Sequence, residues 1–284
     1  MKQPLTLTEQ VQCIKSHGFL VDNEQQLKIT LSKINYYRLR GYWLTFETND
    51  QIIDNTNFHS VIDAYNFDSE LRRWLLSAIE PIEIKLRTQF AYVLAHSHDA
   101  DALSNAELFT NSNAFNKCSQ SLNREIERAE KSKNPFVLHN LEKFGELPVW
   151  VSVELMSFGT LSRFFGILQP NLQSAIAKEF GVNKKYLVSW FHHLSTVRNI
   201  CAHYSRFYNR IMTIKPKLLK RHKHLDSLKE FSTFIIIKEL TDIEEWDNYF
   251  HELNNIIAHY KNVSLRPMGF PKNWEQVLND EGKE

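Results

Sequence analysis

Glycine and proline are scarce in this chain, with eight of each in 284 residues. So few turn formers do not suit a succession of short strands, and the long uninterrupted segments predict helices. Cysteine is scarcer still. Cys13, Cys118 and Cys201 are odd in number and far apart. They offer no disulfide framework, fit a reducing cytoplasm, and show no metal-ligand spacing. A glycine-rich phosphate loop, a His-Glu-x-x-His and a Cys-x-x-Cys are all missing, which disfavours simple NTPases, zinc proteases and zinc fingers. The apolar runs, Phe234-Ile235-Ile236-Ile237 among them, are far too short to span a bilayer. The opening Met1-Lys2-Gln3-Pro4-Leu5-Thr6 lacks the apolar run of a signal peptide. A soluble, cytoplasmic protein with no membrane partner is expected. Excess charge is missing too. The net charge is +1, so any nucleic-acid contact must come from local basic patches.

What is present is apolar and helical in period. The chain is 43% hydrophobic, enough for a sizeable core. Thr6 and Glu9 form a capping-box pattern at the head of a first helix that Gly18 stops. Asp22 or Asn23 can cap a second helix bearing Leu27, Leu31 and Ile34. The aromatic-rich Tyr36-Tyr37-Arg38-Leu39-Arg40-Gly41-Tyr42-Trp43 follows. Its tyrosines can stack on bases or pack on a bundle, and helical spacing favours packing. Residues 58–96 keep a helical period, within which Pro81 should kink the helix or start a new one. Glu80, Glu83 and Arg87 lie within a turn of one another and can pair. Residues 97–118 read as loop, and 121–133 as a charged helix. Glu154 sits inside an apolar stretch opened by Pro148 and can be a structural carboxylate paired with an arginine or a group that supports the active site, the structural role being preferred. Asn183 can cap a helix leading through Trp190, Leu194 and Val197, either as one long helix or with a break near His192-His193. The neighbours His192 and His193 point about 100° apart on a helix, and no carboxylate or cysteine stands at ligand spacing, so no metal site is read there. The basic run from Lys215 to His224 can track an RNA backbone or simply face solvent, and charge runs favour the second.

The stretch from Val197 to Ile211 carries the chemistry. Placed on one helix, Val197, Ile200, Tyr204, Phe207 and Ile211 form a stripe that can be buried. Asn199, His203, Arg206 and Arg210 then fall on nearly the opposite face, and the long Arg198 side chain can swing towards His203. Histidine exchanges protons near neutral pH. Arginine offers a charged fork to phosphate oxygens, and asparagine can orient either partner. Chemistry alone leaves two readings open, a phosphodiester site or a solvated basic helix face.

Arg198-Asn199-Ile200-Cys201-Ala202-His203 resembles the Arg-x4-His signature of HEPN-domain ribonucleases, in which a polar residue usually follows the arginine. The string running on through Arg206 and Arg210 resembles the Abi-like abortive-infection proteins, a bacterial branch of that superfamily. Three further stretches resemble the same family in the expected order. They are Lys33 to Trp43, Leu147-Pro148-Val149-Trp150 on to Glu154 and Ser157 to Ser162, and Met268-Gly269-Phe270-Pro271 with Trp274. The resemblance implies an all-α fold, a HEPN-type helical bundle. It would comprise an N-terminal helical module over 1–45 and a HEPN-like domain with a C-terminal extension over 46–284.

The same resemblance implies a metal-independent endoribonuclease, with no cofactor, acting in phage defence. Arg198, Asn199 and His203 would be catalytic, and Arg206 and Arg210 would bind RNA. Products would carry 2′,3′-cyclic phosphate ends. A single motif supplies one histidine, whereas acid and base roles ideally need two groups, so a homodimer is the economical assembly. An antitoxin protein or small RNA would be a further partner. The rival reading is a non-catalytic RNA-binding or regulatory module of the same fold.

Overall fold

The computed structural model describes residues 3–280; Met1, Lys2 and residues 281–284 at the ends of the two expected segments lie outside the described residues. The fold is all-α, with thirteen α-helices and one two-stranded hairpin among the described residues. No helix among them is long and apolar enough to cross a membrane.

The N-terminal helices start where side chains satisfy their free amides. The Thr6 hydroxyl accepts from the Glu9 amide while the Glu9 carboxylate accepts from the Thr6 amide at 2.7 Å, which opens α1 (Leu7–Ser16). Asn23 caps α2 (Glu24–Lys33) and Asn35 caps α3 (Tyr36–Trp43). Strands β1 (Glu47–Thr48) and β2 (Gln51–Ile52) then pair antiparallel, Glu47 opposite Ile52. Their turn residues Asn49 and Asp50 both have positive φ, as a tight two-residue hairpin turn requires. Tyr42 and Trp43 are buried, with Trp43 against His17, Phe19, Tyr36 and Phe58, whereas Tyr37 is exposed.

The long helix α4 (His59–Ser97) runs through the centre. Pro81 lies inside it and no new helix starts there, so of the two outcomes expected from sequence the restart does not occur. Proline withholds the amide that would reach the carbonyl four residues back, at Ser77. The Tyr249 hydroxyl donates to that carbonyl instead, at 3.1 Å, so the gap is filled from a neighbouring helix.

Beyond α4 come α5 (Ser112–Lys131), α6 (Pro135–Phe144), α7 (Val149–Leu155), α8 (Phe158–Ile167), α9 (Pro170–Glu179) and α10 (Lys184–Ala202). Helix α5 starts earlier than the 97–118 loop reading allowed. Asn111 accepts the Ala114 amide and caps it, and Phe115, Cys118 and Leu122 turn into the core. After a long irregular segment follow α11 (Phe231–Leu240), α12 (Ile243–His259) and α13 (Trp274–Asn279). Trp274 packs on Phe250 and Phe270 and docks the C-terminal segment, as its sequence predicts. Helix α4 touches α3, α7, α8, α9, α10, α11 and α12, so α10 is fixed between α4 on one side and α8 and α9 on another.

Candidate functional site at the end of α10

Helix α10 buries Leu187, Trp190, Phe191, Leu194, Val197, Ile200 and Cys201. Lys185, His192 and Asn199, spaced by seven, stay exposed on the other side. The helix ends at Ala202, so the single helix expected through Ile211 does not exist. His203 caps it and Tyr204 takes φ 55°. The Ser205 amide reaches back to the Ile200 carbonyl at 3.0 Å and the Tyr204 amide to Cys201 at 3.1 Å. This is a Schellman closure with tyrosine where glycine is usual. A left-handed non-glycine residue costs roughly 1–2 kcal/mol, so tertiary contacts must hold the turn.

Such contacts come from α3 and α4. Arg38 of α3 donates to the Tyr204 carbonyl at 2.5 Å, and the buried Arg72 of α4 reaches the Ser205 carbonyl at 3.5 Å. Asp68 of α4 is fully buried and accepts from the amides of Phe207 at 3.0 Å and Tyr208 at 2.7 Å. It also accepts the Tyr42 hydroxyl at 2.6 Å and lies 3.3 Å from Arg72 Nε. The expected apolar stripe is redistributed accordingly. Val197 and Ile200 are buried on the helix and Phe207 is buried from the loop, while Tyr204 and Ile211 are exposed.

The motif residues divide in the same way. Asn199 and His203 are exposed, one turn apart on the same edge. Arg198 is half-exposed, with Nε 3.6 Å from a Glu83 carboxylate oxygen. The other Glu83 oxygen accepts from Arg87, which also donates to the carbonyls of Val153 and, at 2.8 Å, Met156. One buried carboxylate thus holds two arginines and orients Arg198 beside a hollow of about 280 Å³ lined by Leu76, Glu80 and Ile84. The local pairing expected for Arg87 is with Glu83; Glu154, expected as a buried partner of an arginine, is exposed.

Arg206 and Arg210 do not share a helical face with His203. The Arg206 side chain lies against α3, its Cδ and Nε at 3.6 Å from where a side chain on Gly41 would begin. That is ordinary van der Waals contact, so an alanine at 41 would still leave room for it. The Arg210 guanidinium donates to the Arg206 carbonyl at 3.3 Å, and its amide donates to the buried Glu230 carboxylate.

Glu230 responds to pH. Burial pushes its carboxyl up to about 7 from an ordinary 4.5, against the pull of the Arg210 amide. A folded value above the unfolded one means that stability tied to this group is whole below the unfolded value and is lost as pH rises through the folded one. In Glu230→Gln that loss should vanish. Its urea midpoint, relative to the parent, should rise between about pH 5 and about pH 8. A difference that stays constant over that window would refute the assignment.

Neighbouring groups are not part of the reactive set. Burial pushes the Cys201 thiol up to about 12, so no thiolate forms there near neutral pH. Burial drives His193 down to about 4. Its Nδ1 donates to the Ile214 carbonyl at 2.6 Å and its Nε2 accepts from Thr233 at 2.8 Å, so it is a neutral core residue. In the basic run, Arg221 pairs with Glu239 at 2.6 Å, and His222 is buried 3.6 Å from the same carboxylate.

Sequence reasoning missed Asp68, Arg72 and Glu230, and named Glu83 only as a partner for Arg87. The available signal was a carboxylate inside an apolar helical period, since Asp68 lies between the buried Phe67 and Leu71.

A family model described as Abi-like protein matches residues 29–209, more than half of the chain. The chain belongs to the Abi-like protein family. The matched span begins in α2, takes in all of α4 and α10, and ends in the loop that Asp68 anchors. Comparison with curated proteins and with solved structures gives no match. Membership suggests a part in abortive infection, a form of phage defence.

Proposed function

We propose that this Abi-like protein is a metal-independent endoribonuclease of the HEPN type and an abortive-infection effector. One observation carries the reading. Arg198, Asn199 and His203 lie within the last turns and cap of α10, with Arg198 tethered to the buried Glu83 and the other two exposed. That edge presents a proton-transfer group and a fixed cation to a phosphodiester from solvent.

The substrate 2′-hydroxyl attacks the adjacent phosphorus. The bond from the 2′-oxygen to phosphorus forms as the bond to the 5′-oxygen breaks. His203 takes the 2′-hydroxyl proton, and a second acid delivers a proton to the leaving 5′-oxygen. Arg198 stabilises the charge that gathers on the phosphorane oxygens. Asn199 orients His203 or the phosphate, and Arg206 and Arg210 add positive charge along the following loop. A second copy of the chain supplies the second histidine, so two α10 ends share one cleft in a homodimer. An antitoxin protein or small RNA would keep the cleft silent until infection.

Purified protein incubated with single-stranded RNA and EDTA should release fragments with 2′,3′-cyclic phosphate and 5′-hydroxyl ends. Strict dependence on a divalent metal, or 3′-hydroxyl products, would overturn the mechanism. RNA bound but never cut would favour the binding-module reading instead.

A further inference from the structure

A cavity of about 530 Å³ lies between α5, α8, α10 and the irregular segment 214–217, away from the motif. Its size is that of a small-molecule site. Five cations surround it, namely Lys117, Arg163, Lys185, Lys215 and Lys217, and no carboxylate is among its lining residues. All five are exposed. Its walls are aliphatic, from Ile167, Val188 and Ile214. Ser162, also in the lining, is buried, and its hydroxyl has no hydrogen-bond partner.

These features specify an occupant. A ring of cations without a counter-carboxylate asks for an anion. Aliphatic walls ask for an uncharged body behind it. An unpaired buried hydroxyl asks for a body with its own hydrogen-bonding atoms, which an acyl chain lacks. We propose that this cavity binds a nucleotide, its phosphate at the cationic mouth and its ribose and base against the walls. The nucleotide is either free or part of an RNA strand. His192, which also lines the cavity, lies on the exposed seam of α10 with Asn199, and seven residues of helix separate them by roughly 10 Å. A strand leaving the cavity along that seam arrives at the motif.

The test uses the full chain and calorimetry with three probes, adenosine 5′-monophosphate, inorganic phosphate and dodecyl phosphate. A fourth probe is a 5′-phosphorylated oligoribonucleotide carrying 2′-O-methyl groups, which cannot undergo attack by a 2′-oxygen. The nucleotide should bind more tightly than phosphate or dodecyl phosphate. Lys215→Glu with Lys217→Glu should weaken it at least tenfold, and Ser121→Trp, which fills the cavity from α5, should weaken it with no change of charge. Circular dichroism and thermal melting identify any variant that fails to fold, and the other variant then decides. An oligonucleotide that binds more tightly than the mononucleotide, and loses that advantage in the charge variant, identifies the strand as the source. Equal binding of the two identifies a free nucleotide. No nucleotide binding, tighter binding of dodecyl phosphate, or binding indifferent to both variants would overturn the proposal. None of these readouts involves cleavage, so this site and the ribonuclease reading can fail separately.

Discussion

His203→Ala should lower RNA cleavage by about 10²–10⁴-fold, the usual yield of a positioned acid–base group. Arg198→Ala should lower it by about 10²–10³-fold, because the charge it meets exists mainly in the transition state. Neither change should cost much stability. His203 is exposed, and Arg198 is half-exposed at 3.6 Å from a carboxylate that Arg87 also holds. Loss of cleavage with an unchanged melting temperature therefore separates chemistry from folding. Cleavage that survives in both variants would remove the motif from the mechanism. In cells, expression of the parent should slow growth and His203→Ala should relieve it. Mixing the two inactive proteins tests the shared cleft. If each cleft draws its histidine and arginine from opposite chains, mixed dimers regain activity. If both come from one chain, mixing restores nothing although light scattering still shows a dimer. A monomer of full activity would rule out the composite site.

The all-α class was legible because its causes are local. Helical period, a capping box at Thr6 and Glu9, and asparagine caps at 23 and 183 are read directly from neighbouring residues. Two features that neighbouring residues do not decide have causes that lie far away in the chain. Pro81 is tolerated because Tyr249, 172 residues from Ser77, supplies the missing donor. Helix α10 stops at Ala202 because Asp68, 139 residues from Phe207, gathers the following amides. No glycine marks that stop, since Tyr204 occupies the left-handed position. Arg198, Asn199 and His203 all precede the reversal and so keep the helical spacing read from sequence. Arg206 and Arg210 follow it, and their grouping on a helical face was lost.

Asp68→Ala should be the most damaging single change to the fold around the site, at about 3–5 kcal/mol. The aspartate is fully buried and accepts from Tyr42, Phe207 and Tyr208, with Arg72 beside it. Truncation leaves two loop amides and the Tyr42 hydroxyl without their acceptor and the buried Arg72 without its counter-charge, and each such loss is costly. Against a total stability of about 5–15 kcal/mol the loss is a large fraction. It should appear as a lower urea midpoint with little change in slope. The damage should also reach the chemistry. Asp68 anchors the loop just beyond the left-handed Tyr204, beside the contacts from Arg38 and Arg72, and His203 caps the helix at that turn. Without Asp68 the last turn of α10 can fray, and His203 loses its position relative to Arg198, which Glu83 holds independently. Under conditions where the variant remains folded, kcat should therefore fall while the Glu83–Arg198 pair persists. Asp68→Asn keeps the shape but turns one acceptor into a donor facing other donors, so it should be intermediate in both readouts. An Asp68→Ala protein that keeps the parent's urea midpoint would show that the loop after His203 is held by something other than this carboxylate.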